Sequence, residues 1–357
     1  MSYDFVVAGA GPAASTFAAL SAARGATVLI VGNPPRHAAE TLELMSGRTL
    51  NALTALGLVD EVERRWPRLE ATDFRWGRDD FATKVPDPTP WGPGWIVNRT
   101  ELDALMLERA ESAGAQVVAG IVSGISTVDG SWQMRYLDTQ SSEQAVTVTA
   151  KGVALATGRT SKLGARAGIS RRVRHRMVSI TAWLPVGALS GRFGQPGRML
   201  VDTSANGWWY ALGDGGGTTV GFVTDADLMQ PGPDRALATW QFEAAQNYWL
   251  PSNASSILKL RASTVSEAVV PNTFGSKSVA EGVLPLGDAA LAADPMSGHG
   301  LILALDGAMR AATDPATYWQ WLGRAQAAHA QHEGALYAAE PRYQGAPFWS
   351  RRRPKER

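Results

Sequence analysis

Two glycine clusters carry the chemistry available to this sequence. Near the N-terminus, Gly9-Ala10-Gly11-Pro12-Ala13-Ala14 follows the apolar run Phe5-Val6-Val7-Ala8 and precedes a stretch rich in Ala and Ser. Gly9 permits a tight bend, Gly11 lets a ligand approach bare backbone, and Ala14 keeps the following helix close to its sheet. Strand, glycine turn, helix and strand is the setting in which a Gly-x-Gly-x-x-Gly/Ala spacing holds a dinucleotide pyrophosphate on free helix amides. Near the other end, Val283 to Leu286 reads as a strand leading into Gly287-Asp288. Asp294-Pro295-Met296-Ser297-Gly298-His299-Gly300 then opens a helical pattern from Leu301 to Ala312. A nicotinamide enzyme with one site has no use for this second element. A long cofactor such as FAD does: pyrophosphate at the first cluster, ribityl chain near Asp288, ring near Pro295 to Gly300. Asp288 could otherwise be an ordinary cap, and His299 either a flavin-side hydrogen-bonding group or a helix-start residue.

The first motif has one departure. The acidic residue that grips the adenosine ribose is expected about 20 residues after the second glycine, and Gly32 stands there. Asn33, next along, could accept a ribose hydroxyl instead.

The elements that must position these groups follow from periodicity. Strands are expected at Asp4 to Ala8 and Thr27 to Val31, with a helix from about Ala13 to Ala23 between them. Helices are expected at Glu40 to Leu58, Leu102 to Ala113, Arg235 to Leu250 and Thr317 to Ala339. Gly120 to Val148 alternates as a β-meander with a turn at Asp129-Gly130. Met177 to Val186, Arg198 to Asp202, Trp208 to Leu212 and Thr218 to Thr224 read as an antiparallel sheet. Gly213 to Gly217, GDGGG, has no Lys-Ser/Thr continuation and lies between strand-like runs, which makes it a hairpin turn rather than a phosphate loop. The fold class is α/β: a Rossmann-like FAD domain with an inserted antiparallel β-sheet substrate domain. The FAD domain is discontinuous, from 1–70, 98–172 and 280–325; the substrate domain takes 71–97 and 173–279; residues 326–357 form a C-terminal helix and tail.

The Gly-Asp and Asp-Pro-x-Ser-Gly-x-Gly block resembles that of flavoprotein monooxygenases with the p-hydroxybenzoate hydroxylase fold. The resemblance continues along nearly the whole chain. Val97 to Ala115 is similar to the segment whose arginine touches FAD, with Arg99 at that position. Ala154 to Leu163 resembles the strand and turn that closes the FAD domain, without its usual aspartate. Asn206 to Asp225 and Tyr343 to Arg353 resemble the tryptophan-halogenase-like branch. That branch includes maturases that hydroxylate peptidyl tryptophan for the tryptophylquinone cofactors of amine dehydrogenases and amino-acid oxidases. The resemblance implies FAD at Gly9, Gly11, Ala14, Asn33, Arg99, Gly287, Asp288, Pro295, Gly298 and Gly300, with His299 and Glu40 as catalytic candidates. Glu40-Thr41 stands where the branch carries a Gly-Glu-Ser or Gly-Glu-Ala turn, although the preceding residue is Ala39. It also implies hydroxylation of an indole-like substrate, free or within a partner protein, and electrons from NAD(P)H or a separate flavin reductase. The halogenase alternative asks for a key lysine and a Trp-x-Trp-x-Ile-Pro stretch. Lys84 is the only lysine before Lys151, and the nearest stretch is Trp208-Trp209-Tyr210-Ala211-Leu212-Gly213. An assembly partner with little turnover and a saturating reductase of the prenyl type complete the alternatives.

Composition removes other classes. The 357 residues contain no cysteine, which excludes disulfides, thiolate metal sites and thiol catalysis. The five histidines, His37, His175, His299, His329 and His332, show no metal-ligand spacing. Net charge is +1, too small to attract nucleic acid. No apolar run reaches the ~20 residues that span a bilayer, and the start lacks a signal-peptide pattern, so a cytoplasmic protein is expected. The basic RRRPKER end reads as a solvated terminus on a tail that packs back onto the body.

Overall fold

The computed structural model describes residues 2–33, 41–140, 145–159, 162–189, 191–250, 260–270 and 282–353. The first two strands, Ser2–Ala8 and Val28–Val31, are apolar because both of their faces are covered. Val6, Val7, Ala8 and Val28 to Val31 are all buried. They pair in parallel with each other, with Gln116–Val118 on one side and with the C-terminal half of Ala145–Leu155 on the other. Val283–Pro285 adds in parallel at Val153 to Leu155. The N-terminal half of Ala145–Leu155 runs on into an antiparallel meander with Ser131–Asp138 and Gly120–Val128. Its expected turn is present, with positive φ at both Asp129 and Gly130.

The helix Pro12–Ala22 packs against Arg99–Ser112 and Gly300–Thr313. Its Ala-rich surface allows the close approach: Ala13, Ala14, Ala18 and Ala19 are buried. Asn98 starts Arg99–Ser112 by accepting the amides of Thr100 and Glu101.

A second seven-stranded sheet runs in the order Arg261–Thr264, Met177–Pro185, Gly217–Asp225, Gly207–Gly213, Arg198–Ser204, Ala71–Arg75, Ala82–Lys84. It is antiparallel except where Arg198–Ser204 meets Ala71–Arg75 in parallel. GDGGG is a hairpin turn, with Asp214 Oδ1 accepting the amides of Gly216 and Gly217. One face buries Trp209, Phe222, Trp240 and Trp249; the other carries Trp208, Val223 and the C-terminal segment.

Three expectations are corrected. Leu42–Met45 is a strand, not the start of a helix; it pairs antiparallel with Trp95–Asn98, and helix begins only at Leu50–Leu56 after a 3-10 turn capped by Ser46. The helix expected to reach Leu250 ends at Ala244, because Trp249 turns inward and donates its Nε1–H to Asp202 at 2.9 Å. The basic tail packs back as expected but is not simply solvated. Arg352 is buried, donating to Asp225 at 2.5 and 3.1 Å, and Arg351 donates to the same carboxylate at 2.9 Å.

Removing Asp225 would leave the Arg352 guanidinium buried without its anion. Loss of one partner of a buried pair costs about 3–5 kcal/mol. Asp225→Ala is therefore expected to lower the urea midpoint strongly, while an unchanged midpoint would mean that the tail does not hold the fold.

Candidate active site

One cavity of about 750 Å³ joins the two sheets. Its first end lies beyond the C-terminal ends of the parallel strands. There Gly9 has φ +114°, and a β-carbon on it would lie 2.2 Å from the Ala156 carbonyl oxygen. Gly11 is the N-cap of Pro12–Ala22 and supplies no side chain to the free amides. The absent ribose acid at Gly32 has a packing reason: a β-carbon there would stand 2.8–2.9 Å from the backbone of Gly9 and Ala10. Asn33, exposed, lines the cavity beside it.

The middle of the cavity is tied by Arg159. Its guanidinium pairs with Asp288 at 3.2 Å and donates to the carbonyls of Val265, Ser266 and Ala293 at 2.9, 3.1 and 3.2 Å. Thr157, in the turn that lacks the usual aspartate, keeps a buried hydroxyl with no partner among the described residues. Arg99 lines the cavity but its fork is engaged, by Glu43 and by Asp103 at 3.1 and 3.2 Å. Burial opposes its charge, and the two carboxylates outweigh burial, holding its pKa above the ordinary arginine value.

At the far end, Pro295 to Gly298 and Gly300 face the inner surface of the second sheet. The helix Gly300–Thr313 also points an uncapped N-terminus at the cavity, with no acidic residue in its first turn. Opposite lie Trp208, Tyr210, Leu212, Met199 and Ser179. Burial pushes the Tyr210 phenol up to about 12, with the nearby Ser179 hydroxyl working the other way and the Glu43 charge adding to the rise.

The structure thus brings Gly9, Gly11, Asn33, Arg99, Gly287, Asp288, Pro295, Gly298 and Gly300 to one cavity. Ala14 sits just behind it, wholly buried in the helix packing. His299 lies between the lining residues Gly298 and Gly300, and its ring stacks on that of His332 with centroids 4.9 Å apart. Burial lowers its pKa to about 4, with His332 and Arg48 assisting. Glu40 lies outside the described residues. Glu43, Arg159, Tyr210 and Ser179 line the cavity as well without belonging to a sequence motif, and Glu43 falls in a segment whose pattern reads as helix but pairs as a strand. The aromatic pattern at Trp208 to Tyr210 was the available signal.

The donor set fits FAD. Two helix N-termini without side-chain caps favour negative charge at two points of one elongated cavity, the Thr157 hydroxyl is unspent, and backbone replaces side chain where a pyrophosphate needs room. A family model described as an FAD binding domain matches residues 2–317. The chain belongs to this family. It is an FAD-dependent oxidoreductase, and it is similar to a Marinomonas mediterranea protein named as the FAD-dependent oxidoreductase LodB. That match is 25% identical over 370 aligned positions, covering 98% of this chain and 97% of LodB. A digeranylgeranylglycerophospholipid reductase of Methanothermobacter thermautotrophicus is also 25% identical, over 86% of this chain and 75% of its own length. Among solved structures, the peptidyl tryptophan dihydroxylase QhpG superposes with TM-score 0.75 at 22% identity, over 99% of this chain and 79% of QhpG. The myxobacterial chondrochloren halogenase CndH gives 0.77 at 21%, over 99% and 86%. The two solved structures share the fold of this chain.

Behind the Asp294 loop the flavoprotein buries a charged cluster that sequence spacing did not show. Asp294 Oδ2 accepts the Tyr337 hydroxyl at 2.9 Å, and the Asp294 amide donates to His329 Nε2 at 3.2 Å. His175, Glu267 and Glu333 place ligand-type atoms within 4.8 Å of one another. A cation already serves them, since Arg174 Nη1 lies 2.7 Å from Glu267 and 3.3 Å from Glu333. Burial raises the Glu333 pKa well above the carboxylate range, helped by the charges of Glu267 and Asp294 and opposed by Arg174 and Arg352.

Two predictions follow from this geometry. Gly11 has φ −86°, which valine can adopt, so Gly11→Val is expected to abolish FAD binding while circular dichroism stays native; unchanged FAD affinity would make the fingerprint decorative. The second concerns pH. A carboxyl whose pKa rises on folding stabilises most at low pH and loses that contribution as pH climbs through its folded value. His175 and His329, lowered to about 4 mainly by burial, act oppositely and lose stability as pH falls. Glu333→Gln removes only the first effect. Its melting temperature should gain on the wild type progressively above the ordinary glutamate value of 4.5; a difference independent of pH would show that Glu333 is ionised in the fold.

Proposed function

We propose that this oxidoreductase is a monooxygenase that hydroxylates an aromatic, indole-like group. The observation that carries the reading is the continuity of one cavity from the glycine cradle to a wall of Trp208, Tyr210, Met199 and Leu212. When bound, FAD supplies the redox chemistry. The net reaction takes oxygen, two electrons, two protons and an aromatic C–H to a phenolic C–OH and water.

The chain's own groups divide the remaining work. Gly9, Gly11 and the first amides of Pro12–Ala22 hold the pyrophosphate. Asp288, steadied by Arg159, accepts ribityl hydroxyls, and Asn33 takes the place of the ribose acid. The N-terminus of Gly300–Thr313 favours negative charge at the ring end. Glu43, fixed by Arg99, is the carboxylate available at the substrate side. The apolar and aromatic wall excludes water, and a neutral Tyr210 adds no charge to the slot. The electrons come from NAD(P)H or a separate flavin reductase.

Halogenation is the less favoured reading because Lys84, the only lysine before Lys151, is exposed and pairs with Asp87 at 2.8 Å. The finer assignment, a tryptophan within an amine dehydrogenase or amino-acid oxidase, draws support from the names of similar proteins rather than from the cavity.

The reduced enzyme with labelled dioxygen is expected to add one labelled oxygen atom to indole or to a tryptophan-containing peptide, without halide, as seen by mass spectrometry. A halogenated product, or strict dependence on chloride or bromide, would replace hydroxylation by halogenation. No product from any indole or phenol, free or peptidyl, would overturn the enzyme-substrate assignment.

A further inference from the structure

Gly221 lies in the middle of the strand Gly217–Asp225, where a glycine weakens pairing and packs nothing. Its backbone is not in the left-handed region, so conformation does not demand glycine there. The demand comes from a neighbour. Tyr210 stands directly across from Gly221 on Gly207–Gly213, and Thr181 stands across on the other side. A β-carbon at Gly221 would lie 2.2, 2.3 and 2.5 Å from Tyr210 Cε1, Cζ and Oη. The phenol ring is therefore folded down over the gap that the glycine leaves, with its hydroxyl end lying over the neighbouring strand.

The adjacent row reads Trp208, Val223, Ser179 across the same three strands. The Trp208 ring lies 5.8 Å from that of Tyr210 at 45° and lines the same cavity, and its buried indole N–H has no partner among the described residues. Leu212 and Met199 continue the wall. The second sheet thus presents a low aromatic floor exactly as deep as a missing side chain makes it.

We infer that Tyr210, laid flat by Gly221, is the specificity-determining surface of the substrate slot and selects a planar aromatic ring, which it contacts face to face or edge to face. This rests on the aromatic-substrate reading above. Aromatic contacts of that kind contribute about 0.5–1.5 kcal/mol beyond area burial, up to roughly tenfold in affinity. A side chain at position 221 would lift the ring into the slot and fill it.

The test measures binding, apart from turnover. FAD-loaded protein is titrated with indole and N-acetyltryptophanamide, followed by perturbation of the flavin spectrum, with farnesol as a flexible isoprenoid comparison. Gly221→Ala is expected to weaken both indole ligands by roughly tenfold with FAD affinity unchanged. Tyr210→Phe should bind them nearly as the wild type, since the ring face remains, and Tyr210→Ala should bind them weakly. In Gly221→Ala/Tyr210→Ala the glycine change should add no further loss, because the ring it displaces is gone. Wild-type affinity in Gly221→Ala, or an equal penalty for the glycine change with and without Tyr210, overturns the inference. If Gly221→Ala fails to fold, Tyr210→Ala decides: undiminished indole binding overturns it and loss restored by Tyr210→Phe supports it. Preference for farnesol over both indole ligands in the wild type overturns it as well. Binding that follows this pattern without any oxygenated product would leave the slot standing and remove the monooxygenase reading alone.

Discussion

The site depends on a backbone contact. Where the strands Ser2–Ala8, Val28–Val31 and Ala145–Leu155 end together, the chain at Gly9 comes so close to the Ala156 carbonyl, and the chain at Gly32 so close to Gly9, that no β-carbon fits at either glycine. That convergence leaves a crevice beyond the strand ends and points the first turn of Pro12–Ala22 into it. A side chain at either place would push the strand ends apart and move the helix away from its ligand. The same contact answers for the missing ribose acid: position 32 carries backbone because the turn needs the room.

The second sheet must then be held at a fixed distance from this crevice, and polar contacts do that. Arg159 joins the closing turn of the first sheet to the backbone at Val265 and Ser266 and to the ring-end segment at Ala293. The tail locks the sheet from beneath, through Arg352 on Asp225 and the Trp349 indole N–H donating to the Ser204 carbonyl at 2.8 Å. Buried guanidinium groups of this kind are costly to desolvate and gain most from several partners at once, which each of these arginines has.

Local signals made the cradle legible. An apolar strand, a glycine turn and an Ala-rich helix are each decided within about ten residues, and Gly9 to Ala13, Gly287-Asp288, Pro295 to Gly298 and Gly300 all reached the cavity. Non-local pairing was not legible. Leu42–Met45 is a strand because Trp95–Asn98, some fifty residues on, pairs with it, and reading it as helix hid Glu43. Gly32 was visible as a departure, but its reason needed the position of Gly9. His299 looked chemical by its place in the motif, yet a helix-start residue can point either way, and here its ring faces His332. The basic tail looked solvated because Asp225 is more than a hundred residues away in sequence.

Solved structures with different named activities share this fold at 20–22% identity, so the fold cannot by itself distinguish a hydroxylase from a halogenase. What this chain can select lies in what its second sheet offers to the open side of the cavity. Here the floor formed by Trp208, Tyr210, Leu212 and Met199 is apolar and aromatic, with burial raising the phenol pKa, while Glu43, Asp288, Asp294 and Arg261 line the cavity around it. A charged wall would hold ions and water against the ring end of the cavity. The flat aromatic floor excludes them where it lies and leaves shape as the main criterion at that point. Shape at this point is governed by whether position 221 carries a side chain, one methyl group's worth of space in the centre of a strand.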